Sequence, residues 1–141
     1  MNPTRKSIEI MAKTIYGEAR GEYFLKTGGL PSLIAVANVI MNRCIATNEE
    51  FVENVCLKPK QFSCWNEYDP NFRIISRELS SLPAPIKVCE TVAKEVVSGR
   101  WPDITKEATH YYNKNMQPPP YWATNGDVRI IIGNHVFMKL S

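Results

Sequence analysis

The sequence predicts an α+β fold, predominantly helical, in one domain spanning residues 1–141. Apolar residues recur at helical spacing through most of the stretch 6–98. The stretch 102–138 changes character, with interrupting prolines and short β-branched runs. Two of those runs, 128–132 and 135–138, flank Gly133-Asn134, which is a two-residue hairpin signal. A chain of 141 residues with 44% hydrophobic and 22% charged residues has the size and composition of one water-soluble domain with a real core.

The first helix is expected over 6–23, opened by Asn2-Pro3-Thr4, where an early proline forfeits no needed donor. Its apolar stripe is Ile8, Met11, Ala12, Ile15 and Ala19. A loop follows at 27–31. The second helix, 32–44, places Leu33, Val36, Ala37, Ile40, Met41 and Cys44 on one side, and Ala35 and Ala37 let another helix approach closely. A short helix fits 49–55. The segment 57–66 is irregular and mixes aromatics with amides and hydroxyls. Asp69-Pro70 starts a helix over 71–81. Pro83-Ala84-Pro85 opens another that runs to about 98, with Val88, Cys89, Val92, Ala93 and Val96 as its stripe and Gly99 as its C-terminal cap. Residues 108–113 read as extended. Pro118-Pro119-Pro120 belongs to an aromatic, proline-rich loop before the hairpin.

The net charge of +3 and a pI near 8.7 favour approach to an anionic polymer without choosing one. No Lys/Arg cluster is dense enough for a nucleic-acid footprint, so no nucleic-acid partner is expected. No apolar run reaches the length of a membrane span, and the first residues lack the apolar core of a signal peptide. Stable membrane association is therefore not expected, and the chain should stay in the cytoplasm until released. Cys44, Cys56, Cys64 and Cys89 show no zinc-knuckle or redox spacing. Cys44 and Cys89 fall on apolar helix faces and read as core thiols. No metal or cofactor is expected, and a monomer is.

Chemistry concentrates first on Glu18 and Glu22. Four residues apart on a helix, they share a side. Glu22 falls inside the apolar stripe and Glu18 at its edge beside Met11. Half-burial disfavours a carboxylate's charged form, which suits a proton donor. Buried ion pairs with Arg20 or Arg43 are the other reading of the same pattern. Gly17 and Gly21 flank the pair, and a helical glycine often marks the close approach of another backbone or a ligand. Two side chains this close leave little room for a sugar between them, so a two-carboxylate mechanism with this pair is not expected.

Two further segments, Gln61-Phe62-Ser63-Cys64-Trp65 and His110-Tyr111-Tyr112-Asn113, mix aromatics with amides and hydroxyls. Sugars stack their apolar faces on such rings and bond through their hydroxyls and acetamides. Gln61, Phe62, Ser63, Trp65, His110, Tyr111, Tyr112 and Asn113 are therefore the expected groove lining, with Trp122 at its rim and Glu22 in a positioning or structural role. His110 and His135 read more readily as hydrogen-bonded structural histidines than as catalysts.

These residues resemble a known family, the SleB-like cell-wall hydrolases of the spore-cortex-lytic type. The resemblance rests on Ile15-Tyr16-Gly17-Glu18-Ala19-Arg20-Gly21-Glu22 and Ala35-Val36-Ala37-Asn38-Val39-Ile40-Met41-Asn42-Arg43. It continues with Lys60-Gln61-Phe62-Ser63, Ala108-Thr109-His110-Tyr111-Tyr112-Asn113 and Ile132-Gly133-Asn134-His135-Val136-Phe137. It implies a lysozyme-like helical domain with a small β-hairpin element. It also implies a lytic transglycosylase that cuts peptidoglycan glycan strands at the β-1,4 bond between N-acetylmuramic acid and N-acetylglucosamine. The first Glu of the Gly-Glu-Ala-Arg-Gly-Glu motif falls on Glu18, which the resemblance makes the catalytic acid, with Glu22 as runner-up. The segment 23–31 looks longer than the family's usual loop.

Three other readings compete. A hydrolysing lysozyme would use Asp69, Asp127 or Glu67 as its second carboxylate. A glycan-binding module would keep the groove without the chemistry. A nucleic-acid-binding domain would rest on the +3 charge alone. A catalytic domain of this size without an export signal looks like a phage or prophage endolysin, released to the wall through a membrane pore.

Overall fold

The computed structural model describes residues 3–140. Asn2, read as part of the first helix start, lies outside them. Helix α1 (Arg5–Tyr23) begins where the Thr4 hydroxyl accepts the Ser7 amide at 3.0 Å, an N-cap that satisfies one of the unpaired donors of the first turn. Helix α2 (Leu30–Ala46) carries Pro31 in its first turn and starts from Gly29, whose φ of 68° only glycine adopts at little cost. The helices α3 (Val52–Cys56), α4 (Pro70–Ile75) and α5 (Ile86–Val97) follow.

Helices α1, α2 and α5 pack on one another and enclose the core. Met11, Ile15, Leu33, Val36, Ile40 and Val92 are fully buried there, and the small Ala35 and Ala37 let the helices close on one another. The expected helix 71–81 is broken in two. The Ser76 hydroxyl donates to the Phe72 carbonyl at 2.6 Å, α4 stops at Ile75, and Leu79–Ser81 forms a separate 3-10 turn. Serine competes with the backbone in this way and disfavours a helix interior. Another 3-10 turn, Tyr121–Asn125, follows the triple proline where the sequence suggested only loop.

Strands β1 (His110–Asn113), β2 (Gly126–Ile132) and β3 (His135–Leu140) form an antiparallel sheet in the order β1-β3-β2. The expected hairpin is β2 and β3, turning at Gly133 with φ 58°. The extended segment 108–113 contributes β1, with Tyr111 opposite Phe137 and Tyr112 opposite Val136. A register shift between Val128 and Ile130 leaves Arg129 as an extra residue on the edge strand.

Side chains of the helices hold this sheet in place. The Asn134 amide donates to Glu22 Oε1 at 2.6 Å, and Asn134 Nδ2 donates to Oε2 at 3.2 Å. The Gly133 amide reaches the Thr27 carbonyl at 2.8 Å. From α2, Asn42 Nδ2 donates to the Ala108 carbonyl at 2.9 Å and Arg43 Nε to the Thr109 carbonyl at 2.6 Å. The sheet is thereby set against the C-terminal ends of α1 and α2. All four cysteines are buried and unpaired. Among the described residues no helix is long and apolar enough to cross a membrane, and no three His, Cys, Asp or Glu side chains gather as metal ligands.

Candidate active site

Gly17 lets the site form. The 3-10 turn Ser63–Trp65 lies so close to α1 that a Cβ on Gly17 would sit 2.7 Å from Cys64 Cβ. Trp65 pins this turn by donating from Nε1 to Thr14 Oγ1 at 2.8 Å, while the Thr14 hydroxyl donates to the Ile10 carbonyl. The approach brings the Cys64 amide to 3.0 Å from Glu18 Oε2, with the Ser63 hydroxyl at 3.3 Å from the same oxygen. From the sheet side, the Tyr111 hydroxyl donates to Glu18 Oε1. Three donors from two distant segments therefore fix both oxygens of one carboxylate.

Burial pushes the Tyr111 hydroxyl well above the usual phenol pKa, and the charge and hydrogen bond of Glu18 push it further, so Tyr111 stays protonated as a donor. Burial lowers the Arg43 guanidinium pKa, against the opposing pull of Tyr111 and Glu18. Arg43 is held by the Thr109 carbonyl, by Gln61 Oε1 at 3.3 Å and by the Phe62 ring, 4.8 Å below its carbon. His135 is buried, packs its ring 4.9 Å from that of Tyr111, and keeps an Nδ1 without a partner among the described residues. Burial lowers its pKa against the pull of Glu22 and Glu18, so the ring is neutral at pH 7.

Glu18 opens into a cleft of about 560 Å³. Gln61, Ser63, Tyr111, Tyr112, Asn113 and Trp122, all expected from the sequence, line it together with Glu18. Arg43 and His135 line it too, although the sequence reading had left them out of the site. The usable signal for Arg43 was its cationic head directly after an apolar helical stripe. For His135 no local signal existed, because its neighbour Tyr111 comes from another strand.

Four expected lining residues lie elsewhere. Glu22 is spent on Asn134 at the hairpin turn, which corrects its assignment to the groove. Phe62 is only 1% exposed and serves as the floor under Arg43. Trp65 packs on the core and spends its indole N–H on Thr14. His110 bonds to Thr109 Oγ1 and stacks 5.1 Å from Trp122, facing a neighbouring cavity. The two helical glutamates make no ion pair among the described residues. Arg20 instead lies over the Tyr16 ring at 4.9 Å. Gly21 differs from Gly17, because nothing lies within 4 Å of its position.

Among the described residues that line the cleft, Glu18 is the one carboxylate. Asp69 caps α4 through the Asn71 amide, while Glu67 and Asp127 are exposed outside the cleft. One carboxyl group, fixed at both oxygens beside tyrosine, tryptophan and amide groups, is an arrangement suited to acid-assisted cleavage of a sugar chain.

A family model described as Cell Wall Hydrolase matches residues 31–138. The chain belongs to the cell wall hydrolase family. Within this cell wall hydrolase the matched stretch takes in α2 through most of β3, so it holds Ser63, Cys64 and Tyr111 but not Glu18 itself. A spore cortex-lytic enzyme from Bacillus cereus is 27% identical over 139 residues, which is 96% of this chain. The chain spans 45% of that relative's length. The crystal structure of the catalytic domain of the Bacillus cereus SleB protein has the same fold, with a TM-score of 0.72 and 24% identity over 98% of this chain and 93% of that one. The catalytic domain of the germination-specific lytic transglycosylase SleB from Bacillus anthracis also superposes with a TM-score of 0.72, at 25% identity over 98% of both chains. The helix-dominated α+β fold with a small antiparallel sheet is thus that of the SleB catalytic domains.

Proposed function

We propose that this cell wall hydrolase is a lytic transglycosylase that cuts the β-1,4 bond between N-acetylmuramic acid and N-acetylglucosamine in peptidoglycan. The observation that carries the reading is a cleft with one carboxylate, fixed at both oxygens. Protonated Glu18 gives its proton to the glycosidic oxygen as the bond to the muramoyl C1 breaks. The muramoyl 6-hydroxyl then bonds to C1 and returns its proton to Glu18. No water is consumed, the product is a 1,6-anhydro sugar, and no second carboxylate is required. Tyr111, Ser63 and the Cys64 amide hold Glu18 in place, and Tyr112 and Trp122 offer ring faces to the sugars. One chain supplies every group named, which supports action as a monomer.

Digestion of purified peptidoglycan by wild type and Glu18→Gln tests the proposal. Mass spectrometry should find fragments one water lighter than hydrated muropeptides. Their rate of release should fall by about 10²–10⁴-fold in the variant. Hydrated reducing ends would replace the reading with a hydrolysing lysozyme. Wall binding without release would replace it with a binding module.

The endolysin role is part of the same proposal. Four buried free thiols suit a chain made in a reducing compartment. Cells expressing the chain should lyse when a membrane-permeabilising protein is co-expressed, and lysis without that protein would overturn this part.

A further inference from the structure

A second cavity of about 680 Å³ adjoins the cleft. Arg43 and Gln61 line both, and His110 on the second packs against Trp122 on the first. The two spaces differ in chemistry. The cleft has tyrosine and tryptophan rings for sugar faces. Among the described residues no Trp, Tyr or Phe lines the second cavity. Its polar wall instead offers the cations Arg43 and Lys58, the carboxylate Glu49, and the amides of Asn48, Asn54 and Gln61.

The charges in this cavity are held ready. Arg43 makes no ion pair among the described residues, and its two hydrogen bonds and the Phe62 ring fix its planar head at the junction of the two spaces. A guanidinium fixed in this way is organised for a carboxylate. Glu49 accepts the Phe51 amide at 3.1 Å and Asn54 Nδ2 at 3.2 Å, and these bonds hold it below the usual carboxylate pKa. A ligand for this wall carries carboxylates, backbone amides and an ammonium, and is joined to a sugar in the cleft.

We propose that the second cavity binds the peptide stem carried on the lactyl group of muramic acid. The inference rests on the lytic-transglycosylase reading, since only that substrate joins such a peptide to a sugar chain. The stem's backbone amides meet Asn54 and Gln61, its carboxylates meet Arg43 and Lys58, and the ammonium of a diamino residue meets Glu49. The enzyme therefore prefers stem-bearing strands to strands stripped of peptide.

Two measurements test this. In the first, kcat/KM is compared on stem-bearing strands and on strands stripped by an amidase. The wild-type ratio should be about tenfold. Lys58→Glu, at an exposed position, should lower that ratio by about fivefold, mainly through KM, and Glu49→Gln should lower it for strands with a diamino residue. In the second, a soluble stem tripeptide is titrated into labelled Glu18→Gln protein. The amide signals of Asn48, Asn54 and Lys58 should shift, and those of β2 should not. Equal cleavage of both strands overturns the stem site and leaves the lytic reading standing. Tripeptide shifts without cleavage of any strand uphold the site and sink the lytic reading. Shifts of the same amides by a peptide-free glycan alone would overturn the proposal in favour of a further sugar subsite.

Discussion

Glu18 receives its donors from residues 45, 46 and 93 positions away, so its role depends on contacts that no local pattern announces. The carboxylate itself was legible as a Glu at the edge of an apolar helical stripe, a pattern that suits a buried ion pair as well as an acid. Among the described residues Glu18 makes no ion pair, which removes the first reading. Its partners were legible only as polar-aromatic runs. Neighbours within such a run part company: Ser63 faces the cleft while Phe62 is buried beneath Arg43, and composition cannot separate them. Removing the hydroxyl of Tyr111 tests the arrangement. Tyr111→Phe keeps the ring against His135 and Phe137 but takes one donor from Glu18. We expect kcat to fall by about tenfold to a hundredfold, with KM and thermal midpoint nearly unchanged, in steady-state assays on peptidoglycan. Glu22 offers the contrast. Glu22→Ala leaves the part-buried Asn134 amide unpaired and should cost about 1–3 kcal/mol in urea denaturation. Cleavage should persist in the cold, whereas a Glu22 acid would lose it at every temperature.

Helix α1 and the turn 63–65 show how element-scale packing decides what a glycine means. Both glycines of α1 read alike in the sequence, and the structure separates them by what lies opposite. Gly17→Ala sets a methyl 2.7 Å from Cys64 Cβ and 2.9 Å from its sulfur. Overpacking of this kind costs about 1–3 kcal/mol, which exceeds the gain of about 1 kcal/mol from alanine's helix propensity. The variant should unfold at lower urea and lose activity together, because the displaced turn carries two donors of Glu18. Gly21→Ala meets nothing within 4 Å and should gain up to about 1 kcal/mol in the same titration. The long helices α1, α2 and α5 and the β2–β3 hairpin were legible because their apolar spacing and turn residues are local. The break at Ile75, the 3-10 turn after the triple proline and the pairing of β1 with β3 were not. The first two depend on serine and proline competing with regular backbone, and the third joins segments separated by the aromatic loop.

For the molecule as a whole, the histidines link folding to pH. Burial, followed by the nearby Arg43 charge, lowers His110 to about 4, and burial lowers His135 as well. The unfolded chain takes up these protons near pH 6.5, while folded His110 takes its proton only near 4. Between those values the unfolded state binds more protons, so stability falls as the pH drops from about 6.5 towards 4. Asp103 adds a second loss further down. Burial alone would raise its carboxyl pKa, but bonds from Thr105, Asn42 and Glu107 outweigh burial and hold it lower, so its contribution fades as the pH falls below 3.8. Thermal melts from pH 8 to 4 should show the midpoint falling below pH 6.5, and His110→Gln should flatten part of that fall. A midpoint that rises on acidification would contradict the burial of both rings.

The contacts of Glu18 with Tyr111 and of Glu22 with Asn134 tie residues 93 and 112 positions apart. A ribosome makes α1 before the sheet. While the chain is being made, Glu18 stands on its helix without its phenol, and the hairpin that seats the sheet does not yet exist. The setting of Glu18 is therefore complete only once β1 and the hairpin have both been made, however much of the helical body has folded before them.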